Sequence, residues 1–283
     1  MTTGIQIEHL HAADYQAPKN LVYVDNGLHE LYEKLAFRAN VVLVGPKGIG
    51  KSLSIAAYAA QKNVPVITFD CSEDVRRSHL LGMFVLRGDQ TPFVLGPLTS
   101  AFEVANETGE AVLILEEINA LTPQMQKCLN SVLDFRKKVE VPEAKKVFKL
   151  RDGAKLWITG TMNTAAYGGV YEMNEDLKSR VRLVPLDYPT PAEESKIIDT
   201  LVKAAGFKVE KKTITGILTL AHETRQKAMD YALATRDVVQ IIEDTSLVGL
   251  EKALWLASGK FEGDDRATLR ERVESIFGVK LAA

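Results

Sequence analysis

The chain has 283 residues, of which 46% are apolar, enough for one large core with a smaller domain beside it. Its formal net charge of -2 excludes a general electrostatic attraction to nucleic acids or anionic membranes. The two cysteines, Cys71 and Cys128, lack metal-ligand spacing and are expected to be buried thiols in a reducing compartment. The first eleven residues carry no lysine or arginine, and no apolar run has membrane length, so we expect a cytoplasmic protein without a membrane segment.

Short apolar runs alternate with helical patterns through the first two thirds of the chain. The predicted strands are 41–44, 64–69, 111–115, 156–159 and 181–186. This alternation predicts a parallel sheet with helices on both faces, a three-layer α/β sandwich. Four helices are predicted after Pro189, at 192–205, 213–228, 236–257 and 265–277. We therefore predict an α/β domain over residues 1–189 and a small all-α domain over 190–283.

A glycine-rich loop follows the first predicted strand. It reads Gly45-Pro46-Lys47-Gly48-Ile49-Gly50-Lys51-Ser52 and leads into a helical stretch. Glycines at these positions allow backbone N–H groups to surround phosphate oxygens at a helix N-terminus. Lys51 is predicted to reach the outer phosphates and Ser52 to ligate Mg²⁺, so the loop predicts a site for a nucleoside triphosphate.

Two further strand ends carry polar side chains of the kind that hydrolysis needs. Glu116 and Glu117 follow the third predicted strand, and Asn163 follows the fourth. We expect Glu116 to hold Mg²⁺, directly or through water, and Glu117 to orient and deprotonate the attacking water. Asn163 is a candidate sensor of the γ-phosphate, although asparagine at a strand end is also a common turn former.

Two β-hairpins are predicted within the α/β domain, at about 83–95 and 138–150. The first has a turn at 87–90, and the second has a turn near Pro142. Hairpins added to a nucleotide-binding core suggest a task beyond nucleotide binding, although they can also be surface decoration.

These motifs, in this order, resemble the AAA+ ATPases of the MoxR clade, close to its CbbQ/NorQ-type members. The resemblance covers about residues 25–257. It rests on the glycine-rich loop, the segments around the first hairpin, Leu113 to Asn119, Thr161 to Thr164, 169–171, 179–181, 188–189 and 234–236. It implies a three-layer P-loop NTPase sandwich with a parallel sheet and inserted β-hairpins, followed by a small all-α lid domain, with ATP and Mg²⁺ as cofactors.

The resemblance also implies roles for three arginines. Arg180 stands where the family carries an arginine finger that enters a neighbouring subunit's ATP site, and Arg182 is a close rival. Arg236 matches the lid arginine that contacts the γ-phosphate of its own subunit. The chain departs from the family in having Glu116-Glu117 where Asp-Glu is common, and Ser179-Arg180-Val181 where Asp-Arg-Phe is usual.

An arginine donated between subunits implies a homo-oligomeric ring, by the resemblance a hexamer. The first functional hypothesis is an ATP-driven chaperone that remodels or activates a client protein, with a partner bearing a von Willebrand factor A domain. The second is a nucleic-acid-processing ATPase, such as a restriction-type translocase or a helicase loader, and the third is a nucleotide-gated assembly switch. Lysines around the second hairpin favour nucleic acid, but interspersed glutamates and missing aromatics favour protein remodelling.

Overall fold

The computed structural model describes residues 7–8, 15–16, 21–163, 171–226 and 229–281. They form two compact units. The first unit comprises the described residues up to Leu21, together with Gly27–Gly45 and Lys51–Leu186. The second comprises Val22–Asn26, Pro46–Gly50 and the described residues from Asp187 onward. Each unit has a hydrophobic core.

The strands, in chain order, are β1 (Ile7–Glu8), β2 (Asn40–Val44), β3 (Val66–Asp70), β4 (Gly82–Phe84), β5 (Phe93–Leu95), β6 (Glu110–Glu116), β7 (Lys138–Val141), β8 (Lys146–Lys149), β9 (Lys155–Met162) and β10 (Val181–Pro185). The first unit's helices are α1 (Leu28–Leu35), α2 (Lys51–Gln61), α3 (Arg77–Leu81), α4 (Pro97–Thr108), α5 (Pro123–Cys128), α6 (Asn130–Leu133) and α7 (Glu175–Lys178), with a 3-10 turn at Ile118–Ala120. The second unit's helices are α8 (Pro191–Ala205), α9 (Lys211–Gln226), α10 (Thr235–Val248), α11 (Leu250–Ser258) and α12 (Gly263–Phe277).

The main sheet has five parallel strands in the order β10-β2-β9-β6-β3. All five predicted strands are confirmed, with shifted ends. β3 begins at Val66, two residues later than predicted. The Val64 N–H donates to the Ala59 carbonyl at the end of helix α2, and Pro65 has no N–H to donate to a neighbouring strand. β9 extends to Met162, three residues beyond the predicted end, so Thr161 lies within the strand.

The sheet is buried on both faces, which explains why its strands read as continuous apolar runs. In β6, Val112 and Ile114 belong to a cluster with Trp157. Their neighbours Leu113 and Leu115 belong to a second cluster, which also includes residues of α4. Because successive strand residues point to opposite faces, the two clusters are two helix-covered layers, and the predicted three-layer sandwich is confirmed.

Strands β9 and β6 approach each other closely where Gly160 pairs with Leu115. A Cβ atom on Gly160 would lie 2.8 Å from the Leu115 carbonyl oxygen, closer than real Cβ contacts come. Glycine is therefore required at this strand position for steric reasons.

Both predicted hairpins are confirmed. β4 and β5 pair antiparallel, and the pairing continues towards the turn as a bridge between Arg87 and Gln90. β1 adds a short parallel strand to β5, which the sequence did not predict. β7 and β8 pair antiparallel, with Lys138 opposite Lys149.

The second unit's core is built by helices α8 to α12. The single helix predicted over 236–257 is wrong, because Gly249, at φ 86° and ψ 158°, separates α10 from α11. This backbone conformation is not helical and is easily adopted by glycine. The predicted end of another helix, Ala228, lies outside the described residues. A helical region therefore follows the α/β sandwich, as predicted.

Candidate functional site

The glycine-rich loop connects the end of β2 to the first residue of α2. Gly48 and Gly50 have φ angles of 73° and 86°, a left-handed conformation that side chains disfavour. The Gly45 N–H donates to the carbonyl of Met162 at 3.1 Å and thereby joins the start of the loop to the end of β9. The loop thus has the strand-to-helix setting that phosphate binding at a helix N-terminus requires.

Lys51 lies at the start of α2 and is only 8% exposed. Its Nζ donates to the Gly45 carbonyl at 2.8 Å and to Asn163 Oδ1 at 3.1 Å. Asn163 is also buried. The structure therefore brings together the loop lysine and the predicted sensor, although 112 residues separate them in the sequence.

Glu116 ends β6 and accepts two hydroxyl hydrogen bonds on the same carboxylate oxygen. Ser52 Oγ donates to Oε2 at 2.6 Å, and Thr161 Oγ1 donates to it at 2.7 Å. Hydroxyl and carboxylate oxygens are the hard ligands that Mg²⁺ prefers, usually together with water and substrate phosphates. The donor set therefore fits Mg²⁺, and it contains both residues predicted as metal ligands.

Glu117 has φ 51° and ψ 49°, the left-handed conformation that is uncommon outside glycine. Its N–H donates to Thr161 Oγ1 at 3.1 Å. Among the described residues, its carboxylate makes no hydrogen bond or ion pair. Strained backbone of this kind is often found at functional sites, and here it sets the direction in which the chain leaves β6.

Two residues at this site were not predicted from the sequence. Thr161 contacts both glutamates through one hydroxyl. Asn119 is buried, and its Nδ2 donates to the Asn163 carbonyl at 3.2 Å, while its backbone carbonyl accepts from the Tyr171 N–H at 2.7 Å. The sequence did offer a signal for Thr161. It lies two residues before Asn163, and residues with this spacing point to the same side of an extended chain.

Cys71 follows β3 and donates its N–H to the Glu116 carbonyl at 2.9 Å. Burial, with the nearby charges of Asp70, Glu116 and Glu117, raises the pKa of its thiol to about 12. The thiol is therefore protonated at neutral pH, as expected of a buried cysteine. Cys128 is also a free thiol, but it is only half-buried, so the expectation of burial is wrong there.

The two finger candidates lie at the start of β10 and just before it. Arg180 is half-buried, and its Nη1 donates to the Asp176 carbonyl and to Ser179 Oγ at 3.3 Å. Arg182 is exposed on β10, which pairs with β2. Neither makes a hydrogen bond or ion pair to Lys51 or the two glutamates within the described part of this single chain.

Arg236, the predicted lid arginine, lies in the first turn of α10 and is exposed. Its N–H donates to the Gly48 carbonyl at 3.2 Å, and both residues belong to the second unit. Thr164, Gly169 and Val170, which contributed to the family resemblance, lie outside the described residues.

Comparison with known families agrees with this geometry. A profile of the AAA domain (dynein-related subfamily) matches residues 40–181, which run from the start of β2 to the start of β10. The chain belongs to this family. It is accordingly an ATPase, and family membership implies that it binds nucleotide.

Two relatives and two solved structures show what this AAA protein is similar to. Uncharacterized proteins of Staphylococcus epidermidis and Staphylococcus haemolyticus are each 24% identical over 225 residues, 76% of this chain and 81% of theirs. The P216G mutant of Thermotoga maritima RuvB has a TM-score of 0.53 at 15% identity, covering 93% of this chain and 76% of RuvB. A structure of the Thermotoga maritima RuvB Holliday junction branch migration motor has a TM-score of 0.50, also at 15% identity, covering 93% and 75%. These structures support the fold.

In this AAA domain, the ammonium of Lys51, the oxygen ligands of Ser52 and Glu116, and the Glu117 carboxylate lie at the carboxyl ends of neighbouring strands. Lys51 can neutralise phosphate charge, and Ser52 with Glu116 can hold a divalent cation. The Glu117 carboxylate can accept a proton from water. Groups of these kinds are among those that the hydrolysis of a nucleoside triphosphate uses.

Proposed function

We propose that this protein is a ring-forming ATPase of the MoxR clade, similar to its CbbQ/NorQ-type members, which uses ATP hydrolysis to remodel or activate a partner protein. The proposal of an ATP site is supported above all by two hydrogen bonds, from Lys51 to Asn163 and from Ser52 to Glu116. They join the glycine-rich loop to the ends of two neighbouring strands of the sheet.

In the proposed mechanism, the loop N–H groups and Lys51 bind the β- and γ-phosphates. Ser52 and Glu116 would hold Mg²⁺, which when bound screens charge on the phosphate oxygens. Glu117 accepts the proton of the attacking water, and Asn163 orients the water or the γ-phosphate. Arg236 contacts the γ-phosphate in its own subunit.

Assembly would make hydrolysis conditional on a neighbour. AAA+ ATPases usually assemble as rings, and we propose a hexamer in which Arg180 reaches the ATP of the adjacent subunit. The alternative finger, Arg182, is more exposed and lies in β10, at the edge of the sheet. An arginine supplied from outside the loop neutralises charge on the transferred phosphoryl group, which couples turnover to ring formation.

The choice of a protein client over nucleic acid rests on the second hairpin. Three basic residues in or near this hairpin are paired with carboxylates: Lys138 with Glu140, Lys146 with Glu103, and Lys155, at the start of β9, with Glu110. Phosphate binding by these lysines would have to displace existing partners, so the cluster is a weaker polyanion site than its sequence suggests. The likeness to the RuvB motor is at 15% identity and speaks for the fold alone.

A trapping experiment tests this proposal. Glu117→Gln removes the proposed base while leaving the phosphate and metal groups, so the variant should bind ATP, form rings and retain its client. Proteins that co-purify with it in the presence of ATP, with Lys51→Ala as the matched non-binding control, would be identified by mass spectrometry. A protein partner, especially one with a von Willebrand factor A domain, supports remodelling. Nuclease-sensitive DNA or RNA retained in its place would contradict it in favour of nucleic-acid processing.

In the described part of the chain, none of the helices is long and apolar enough to cross a membrane. As expected from the sequence, we propose that the protein works in the cytoplasm without a membrane partner.

A further inference from the structure

A fully buried carboxylate, Glu194, lies in the first turn of α8 in the second unit. Arg225 binds both carboxylate oxygens, at 2.8 and 2.9 Å. Thr235 Oγ1 donates to Oε1 at 2.6 Å, and His222 Nε2 lies 2.9 Å from Oε2. Burial by itself raises the pKa of Glu194, but the hydrogen bonds from Arg225 and Thr235 outweigh it and the pKa lies below its usual value. The cluster is therefore a buried ion pair in which each carboxylate oxygen has two hydrogen-bond partners.

The same polar groups determine the path of the chain as it enters α10. Arg225 Nε donates to the Leu233 carbonyl at 2.7 Å, and the Leu233 N–H donates to Thr224 Oγ1 at 3.0 Å. Thr235, the first residue of α10, carries the hydroxyl that binds Glu194. Side chains from α8 and α9 thus hold the residues on both sides of Ala234.

This entry segment lies directly against the glycine-rich loop within the second unit. The Arg236 N–H donates to the Gly48 carbonyl. A Cβ atom on Gly48 would be 2.8 Å from Ala234 Cβ and 3.3 Å from Arg236 Cβ, so the two backbones touch with no room for a side chain. A small displacement of residues 234–236 would therefore move Arg236 relative to the loop.

The energetics of buried ion pairs favour a positioning role. The free energy needed to remove two charges from water is about as large as the electrostatic attraction between them. Well-packed apolar groups of similar volume therefore often stabilise a fold equally well. A satisfied polar network, by contrast, accepts only one geometry, because any displacement leaves a buried charge without its partner. We therefore expect the pair of Glu194 and Arg225 to matter more for the conformation of the chain entering α10 than for the free energy of unfolding.

We infer that Glu194, acting through the Thr235 hydroxyl and Arg225, positions Arg236 for the γ-phosphate and so determines how well this ATPase distinguishes ATP from ADP. Glu194, Arg225 and Thr235 are positioning residues, since each acts through Arg236. The inference rests on the proposed role of Arg236 in the function above.

The test replaces the hydroxyl without changing side-chain shape. Thr235→Val should lower kcat about tenfold and weaken ATP binding by a similar factor, the loss expected from one charge-assisted hydrogen bond. ADP affinity should stay unchanged, because ADP has no γ-phosphate. Thr235→Ser restores the hydroxyl and should recover activity. The matched control is Thr245→Val, since Thr245 lies on the same helix and its hydroxyl donates to the Ile241 carbonyl at 2.7 Å.

A double-mutant cycle separates positioning from a merely structural role. If Thr235 acts through Arg236, Thr235→Val should cause no further loss of kcat in an Arg236→Ala background. Additive losses, an equal loss of ADP affinity, or a Thr235→Val enzyme with wild-type kcat would each overturn the inference. The proposed function has a separate test: if Glu117→Gln still hydrolyses ATP at the wild-type rate, the proposed active site is wrong, whatever Thr235 does.

Discussion

Thr161 offers the sharpest test of how the active site is assembled. Thr161→Val keeps the β-branched shape that suits a strand but removes a hydroxyl that donates to Glu116 and accepts from the Glu117 N–H. A hydrogen bond to a charged group contributes about 1.5–3 kcal/mol, and a buried donor left unpaired costs about 1–3 kcal/mol. Because the two effects overlap, we expect the free energy of unfolding to fall by about 2–4 kcal/mol.

Activity should fall as well, because both glutamates lose their shared anchor. A rise of only about 1.4 kcal/mol in the activation free energy lowers kcat about tenfold. Phosphate release measures kcat, and urea unfolding followed by the fluorescence of buried Trp157 measures the stability of the first unit.

The same strand provides the control. Thr159 is as buried as Thr161, but its hydroxyl donates to the Val41 backbone carbonyl at 2.7 Å rather than to a glutamate. Thr159→Val should cost about 1 kcal/mol of stability and leave kcat unchanged. Equal kcat values for the two variants would refute the idea that Thr161 positions the glutamates.

Three further predictions concern binding, assembly and acid stability. Lys51→Ala should abolish ATP binding in a fluorescent-nucleotide titration, because the buried ammonium is the loop's main cation; tight binding retained by the variant would rule out the phosphate-loop assignment. Arg180→Ala should bind ATP but not turn it over, and mixing with Glu117→Gln subunits, which still donate an arginine, should restore part of the activity; no recovery at any mixing ratio would show that Arg180 does not act between subunits. Because the folded-state pKa of Glu194 is lowered, its stabilising contribution is present above the ordinary glutamate value of 4.5 and is lost as the pH falls through the folded-state pKa. The second unit should therefore melt at lower temperature at acid pH. A melting temperature that stays constant from pH 6 to about pH 3 would contradict that linkage.

The sequence predicted the residues whose chemistry is tied to a local pattern. The glycine-rich loop is recognisable because its glycines, lysine and serine lie within eight positions between a strand and a helix. Glu116 and Asn163 were predicted because each follows an apolar run, and parallel strands end at the same sheet edge. The structure brings both of these side chains to residues of the loop.

The residues that were missed depend on register and burial, which a local pattern does not carry. Thr161 looks like an ordinary strand-forming residue until the pairing of β9 with β6 places its hydroxyl beside Glu116. Glu194 looks like a surface residue in the first turn of a helix, where acidic side chains are common. The interruption at Gly249 was missed because a glycine within a helical pattern is often tolerated.

The close approach at Gly160 limits which sequences can carry this site. Any side chain there would push β9 away from the Leu115 carbonyl, one residue before Glu116. The separation of Glu116 from Thr161 is therefore fixed by a residue that has no chemistry of its own. In a deep mutational scan, position 160 should be as intolerant of change as the glutamates, and a designer transplanting this site into another α/β sheet would have to transplant the glycine with it.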